Sequence, residues 1–192
     1  MLIVLIEKQV EHAREKHDFA RNFKELSSIN PCLFLPVFFD GDVCLWGSNL
    51  IVEYLLEHYP NVPSYSPSPR LAATMTRHDY HWEDTKILVT LETLTDSIMN
   101  LRQMKMSGLE LEQVTYLRRQ RDRIDRCLDW LNAQATVDGF APGWFSIMDL
   151  NLICALGNVD NHRSFEWRGR STLEALVARY AGRPSIKLTA QE

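Results

Sequence analysis

No stretch of this 192-residue chain stays apolar for long: the longest run, Leu2 to Ile6, falls far short of the roughly 20 residues that a membrane-spanning helix needs. It has no basic segment before it and no small-residue cleavage pattern after it, so neither membrane insertion nor a leader is expected. Cysteine is sparse. Cys32, Cys44, Cys127 and Cys154 are scattered without a CxxC pair, which excludes a disulfide framework and the commonest zinc spacings. The expectation is a reducing, cytoplasmic setting with the thiols buried as small apolar groups. Positive charge is not in excess either: the formal net charge is -4, which offers no footprint for nucleic acid or an anionic membrane. Internal repeats and low-complexity tracts are also missing, which excludes solenoid architectures.

What is present fits an ordinary globular protein, with 45% hydrophobic and 24% charged residues. Pro60, Pro63, Pro67 and Pro69, interleaved with Ser64, Ser66 and Ser68, cannot be regular helix and mark a linker between two domains, 1–62 and 70–192. Before the linker, Phe34 to Phe39 and Val43 to Trp46 read as strands joined by a tight turn at Asp40-Gly41-Asp42. Ser48 then reads as the N-cap of a helix carrying Ile51, Val52, Leu55 and Leu56 at helical spacing. After the linker the pattern is helical. One helix is expected from Leu71 to about Met106, with Leu88, Leu91, Leu94, Ile98 and Leu101 on one face, and a second from Leu111 to Gln134. Ser146 with Asp149, and Ser171 with Glu174, resemble capping boxes. The helix after Ser146 is apolar all round and belongs at the centre of a bundle; the helix after Ser171 is expected to be the last, stopping at Gly182 before Pro184.

Asn30-Pro31, Leu35-Pro36-Val37, Asp40-Gly41 and the run from Leu45 through Gly47-Ser48 to Leu55 resemble, in this order, the first domain of the glutathione transferase superfamily. Phe145-Ser146-Ile147-Met148-Asp149 and Arg183-Pro184-Ser185 resemble its second domain. The resemblance implies an α/β plus all-α fold: a shortened thioredoxin-like N-terminal domain followed by a helical bundle. It implies a cis peptide before Pro36, a backbone contact from Leu35 to the cysteinyl unit of glutathione, and a place for the γ-glutamyl carboxylate at Ser48. Glutathione would then be a substrate, joined to a small hydrophobic electrophile, with no resident cofactor or metal and with a homodimer built on the long helix from Leu71.

Three departures qualify the activity. Where the family carries an acidic or amide residue before the motif serine there is Gly47, and where it often carries a lysine for the glycyl carboxylate there is Phe34. Each missing contact is worth about 1.5 to 3 kcal/mol as a charged hydrogen bond. If Leu2 to Val10 corresponds to the end of the family's first helix, the Ser, Tyr or Cys that activates the thiol would lie before Met1, and no catalytic residue can be named. The local pattern leaves a second reading open, with Met1 to Ile6 as a strand and Glu7 to Leu26 as one helix bearing Val10, Ala13, His17, Ala20 and Phe23; Gln9 stands where the resemblance implies a glycine ending the family's first helix. Val4-Leu5 with Glu7-Lys8, and Ser48 with Ile51 and Glu53-Tyr54-Leu55, also resemble stringent starvation protein A, a branch of the same fold that binds RNA polymerase. The alternative function is therefore a non-catalytic module with a protein partner.

Other constellations read more plainly. His78 and His81 share a helix face with acids nearby but lack a third ligand at motif spacing, so solvated histidine is favoured over metal. Arg118, Arg119, Arg121, Arg123 and Arg126 alternate with Asp122, Asp125 and Asp129, the pattern of a salt-bridged, exposed helix face. Trp144 and Trp167 read as packing anchors.

Overall fold

The computed structural model describes residues 1–15, 19–62, 69–110, 114–162 and 165–190. The chain divides into two units, Met1–Tyr65 and Ser66–Glu192; the linker residues Pro63, Ser64, Ser66, Pro67 and Ser68 lie outside the described residues. In the first unit, helices α1 (Leu2–Glu7) and α2 (Phe19–Ile29) precede strands β1 (Val37–Asp40) and β2 (Val43–Trp46) and helix α3 (Ser48–His58).

Of the two readings of Met1 to Ile6, the structure takes helix. Ile3, Val4 and Leu5 are buried, and α1 packs on α3, whose Ile51, Val52, Leu55 and Leu56 are buried in turn. A single helix from Glu7 to Leu26 does not form, because α1 closes in a Schellman motif. The N–H of Gln9 donates to Ile6 O at 3.1 Å and that of Val10 to Leu5 O at 2.9 Å, with Gln9 itself at φ 53°. Gln9 thus fills the left-handed position that glycine takes at lower backbone cost. His17 of the expected stripe lies outside the described residues. The next residue back from Gln9, Lys8, is buried and turns its ammonium onto the last turn of α3, donating to Leu56 O at 3.5 Å, to Tyr59 O, and to Asn61 Oδ1 at 3.1 Å. A cation at a helix C-terminus is stabilised by the exposed carbonyls, although burial pulls the ammonium below the ordinary lysine range.

The hairpin forms as expected but is shorter on its first arm. Val37 pairs with Trp46 and Asp40 with Val43, leaving Gly41 and Asp42 as a two-residue turn with Gly41 at φ 56°. Residues 34–36 stay out of the strand because Asn30 holds the preceding loop.

In the second unit, β3 (Arg70–Leu71) pairs in parallel with β4 (Trp144–Phe145), a two-residue ladder that no sequence signal announced. The expected helix from Leu71 therefore starts later, as α4 (His81–Met106), after a single 3-10 turn at His78–Tyr80. Ala72 donates to Phe145 O at 2.9 Å. Asp84, fully buried, accepts the Arg77 backbone N–H at 2.6 Å and its guanidinium at 2.7 Å, which fixes the approach to α4. Its buried stripe is Ile87, Leu91, Leu94 and Ile98, while Leu88 and Leu101 are only half-buried. α5 (Thr115–Gln134) buries Leu117, Ile124, Leu128 and Leu131 against α4; the expected start at Leu111 lies outside the described residues. Of the expected ion pairs on this helix, Arg121 with Asp125 forms; Asp125 and Asp129 are also met by Arg170, from outside the helix.

α6 (Ile147–His162) is the axis of this unit, with Ile147, Met148, Leu150, Leu152, Ile153, Ala155, Leu156 and Val159 buried round its circumference. Its capping box is complete. Ser146 Oγ accepts the Asp149 N–H at 3.1 Å, and Asp149 Oδ2 accepts the Ser146 N–H at 2.9 Å and hydroxyl at 2.6 Å. The box expected for α7 (Ser171–Tyr180) is different: Ser171 is already helical, and Asn132 of α5 caps instead, accepting the N–H groups of Thr172 at 3.1 Å and Leu173 at 3.3 Å. Nor is α7 the last helix. Pro184 opens α8 (Pro184–Ala190), where its missing N–H and fixed φ suit the first helical position. Arg183 just before it is buried, lies 4.4 Å over the Phe145 ring and donates to Pro69 O at 2.9 Å.

Replacing Ser146 by Ala is expected to destabilise the protein by about 0.5 to 2 kcal/mol, towards the upper end because the freed N–H is buried. Denaturant unfolding at constant slope measures it; an unchanged midpoint refutes the role given to the serine.

Candidate functional site

The four residues singled out in the first domain come together at the open end of the hairpin. The peptide between Leu35 and Pro36 is cis. The N–H of Gly47 donates to Pro36 O at 3.3 Å, one step beyond the Val37–Trp46 pair, so Leu35-Pro36 and Gly47-Ser48 lie side by side. Leu35 is exposed, and its backbone N–H and C=O have no hydrogen-bond partner among the described residues. The loop that delivers it is set by Asn30, a fully buried side chain that accepts the Cys32 N–H at 2.8 Å and donates to Phe34 O at 2.7 Å. The Asn30-Pro31 pair contains that signal, since asparagine accepts from the N–H two residues on.

Ser48 departs from its expected role. The N-cap of α3 is Gly47, at φ 91°, and Ser48 is the first helical residue, exposed, with its hydroxyl making no capping hydrogen bond. That hydroxyl stands at a helix N-terminus, where an anion is favoured. Phe34 and Gly47, the two positions where the resemblance expects ionic groups, are neighbours: a Cβ on Gly47 would lie 3.8 Å from Phe34 Cε2. The ring is 45% exposed and flanked in sequence by exposed Leu33 and Leu35, so this flank is apolar.

α3 is tied to the hairpin from its other end. Tyr54 and Tyr59 both donate to Asp40 Oδ2, at 2.9 and 2.6 Å, and these bonds, Tyr59 first, hold the Asp40 carboxyl below the ordinary aspartate range. The thiols are less buried than expected. Cys32 and Cys154 are exposed, Cys44 and Cys127 half-buried, and all four are free. No group of three His, Cys, Asp or Glu side chains able to hold a metal occurs among the described residues; Asp84, one of the acids near His81, is committed to Arg77. No helix of the described residues is long and apolar enough to cross a membrane.

Residues 1–57 match the family profile for the glutathione S-transferase N-terminal domain. A stringent starvation protein A homologue of Histophilus somni is 39% identical over 61 residues, 32% of this chain and 29% of that protein. One from Haemophilus influenzae is 30% identical over 107 residues, 54% of this chain and 50% of that protein. The aligned stretches thus span half or less of these relatives. A glutathione S-transferase of Methylobacillus flagellatus, solved with glutathione bound, superposes with a TM-score of 0.77 over 97% of this chain and 90% of that one, at 21% identity, a likeness of fold.

The Asp40 pairing generates a pH dependence. Its carboxyl pKa is lowered on folding, so the stabilisation is fully present above the unfolded value of 3.8 and is lost as pH falls through the folded value. The double substitution Tyr54→Phe, Tyr59→Phe is expected to return the Asp40 titration towards 3.8, read by carboxyl-carbon NMR; an unmoved titration means the hydroxyls do not hold it.

Proposed function

We propose that this chain, a member of the glutathione transferase superfamily, is a glutathione S-transferase-like protein with a degraded glutathione site, which holds the tripeptide weakly and does not conjugate it to electrophiles. The observation that carries this reading is the pairing of Phe34 with Gly47 beside the cis peptide. The backbone of Leu35 and the free hydroxyl of Ser48 remain suited to the cysteinyl and γ-glutamyl parts. The groups that would meet the γ-glutamyl amine and the glycyl carboxylate are a hydrogen atom and a phenyl ring. Two charge-assisted hydrogen bonds are thereby replaced by apolar contact.

A second reading, a non-catalytic module that binds a protein partner, is favoured by the curated matches to stringent starvation protein A homologues. Either way the working form proposed is a cytoplasmic homodimer. α4 exposes Trp82 at 75% and Val89 at 53%, and with Trp130 of α5 they line a shallow cleft on the outer face of the helical unit. A second copy would cover them.

Calorimetry and a conjugation assay with a standard aromatic electrophile test the first reading. Wild type is expected to bind glutathione weakly and to show no turnover above background. Gly47→Glu should tighten binding by up to tenfold, about 1.4 kcal/mol, without turnover, because a contact made equally in ground and transition states does not lower the barrier. The same substitution should lower stability by about 1 to 3 kcal/mol, since φ is 91° at that position. Robust wild-type turnover overturns the reading; no glutathione binding by either protein leaves the partner-binding module. For the assembly, sedimentation at micromolar concentration should give a dimer that Trp82→Glu dissociates, and a monomeric wild type refutes it.

A further inference from the structure

Sequence context alone points to packing for both Trp144 and Trp167, yet of the two only Trp167 is packed, 2% exposed with its indole N–H on Asp160 at 2.8 Å. Trp144 is 45% exposed and lines a half-open cavity of about 260 Å³ within the helical unit. Two segments wall it, residues 72–78 and 141–148, and beside the indole they contribute Ala72, Met75, Ala141 and Met148.

Neither wall is loose. Ala72 is tied to Phe145 at 2.9 Å next to the β3–β4 ladder, Arg77 is clamped to buried Asp84, and Ser146 is closed onto Asp149. A cavity formed in advance avoids the ordering cost that weakens binding at mobile surfaces. Its polar groups are largely spent on one another. Thr74 donates to Thr76 O at 2.5 Å, the Thr76 hydroxyl lies 3.3 Å from His81 Nδ1, and the Arg77 guanidinium is neutralised by Asp84. Two lining groups are the exceptions, the exposed His78 imidazole and the Trp144 indole N–H, neither with a hydrogen-bond partner among the described residues.

We propose that this cavity binds a small, neutral, planar aromatic molecule, stacked on Trp144 and hydrogen-bonded to His78 through one polar group. Size and charge both point there. An apolar cavity of about 150 Å³ accommodates benzene, so 260 Å³ has room for a fused two-ring system. An ionised ligand would exchange its hydration for apolar walls whose one guanidinium is already paired. The indole supplies the stacking face, and aromatic pairs gain from offset stacking beyond their buried area.

Indole titrated into the full-length, ¹⁵N-labelled chain tests this, with amide shifts as the readout and benzoate as the charged control. Saturable shifts confined to residues 72–78 and 141–148 are expected, with a Kd below about 1 mM, while benzoate does not saturate. Trp144→Ala should weaken indole at least tenfold and His78→Ala severalfold. Should Trp144→Ala not fold, Ala73→Leu, at an exposed lining position, is expected to block binding instead. Absence of saturation, shifts centred elsewhere, equal affinity in the variants, or benzoate binding as tightly as indole each overturns the proposal.

Discussion

The helical unit depends on one buried carboxylate. Asp149 is fully buried and accepts three hydrogen bonds, from the Phe140 N–H at 2.9 Å and from the N–H and hydroxyl of Ser146. Burial pushes its pKa up, against the pull of those three donors, the balance expected when an ion is desolvated but well bonded. Because α6 begins inside the unit, its first N–H groups have no water to meet, and this side chain joins the helix start to the loop before it. Gly139 shows how closely that loop approaches: a Cβ there would come within 2.7 Å of Asp149 Oδ1, at a φ of 100°. The loop then runs through Phe140 and Ala141 into β4, so the same carboxylate sets the ladder with β3 and one wall of the Trp144 cavity.

The first unit is organised by backbone requirements more than by a buried ion. Asn30 folds the loop, the cis peptide turns it, and the hairpin register brings Gly47 against Pro36. Lys8 and Asp40 act on the far end of α3, one through carbonyls and the other through two tyrosine hydroxyls. Both act away from the Ser48 hydroxyl, which makes no capping hydrogen bond.

Patterns that depend on burial were legible in the sequence, and those that depend on a distant partner were not. The apolar circumference of α6 and the stripes of α3 and α5 follow from periodicity alone. The hairpin followed from Asp40-Gly41-Asp42, and the Ser146–Asp149 box from its spacing. By contrast, α4 was expected ten residues early because nothing in Leu71 to Tyr80 announces that Leu71 pairs with Phe145, far along the chain, or that Arg77 answers Asp84. Ser171 looked like a cap, but Asn132 reaches α7 from another helix and takes that role. Ser48 looked like a cap as well; the residue before it, a glycine with positive φ, occupies that position. In the candidate site, the grouping of Leu35, Pro36, Gly47 and Ser48 came from resemblance, whereas the nearness of Phe34 to Gly47 required coordinates.

On the proposed reading, that proximity bears on how a site of this kind would lose its ligand groups. A side chain at Gly47 would have to tolerate a φ of 91°, a strain of about 1 to 3 kcal/mol of the sort that persists at functional positions when something compensates it. A charged hydrogen bond to a ligand amine, worth about 1.5 to 3 kcal/mol, is of the same size. The compensation acts only while ligand is bound, so an acidic residue there is favoured where occupancy matters and glycine where it does not. On the proposed reading, glycine keeps the turn that places Ser48 at the head of α3 and removes the strain. The space beside it is bordered by the Phe34 ring, and on the same reading an aromatic face in place of a cation would give the glycyl carboxylate of glutathione nothing to pair with. The two positions would therefore be coupled in effect: an acid introduced at Gly47 alone would engage one end of the tripeptide and leave the other against a phenyl ring.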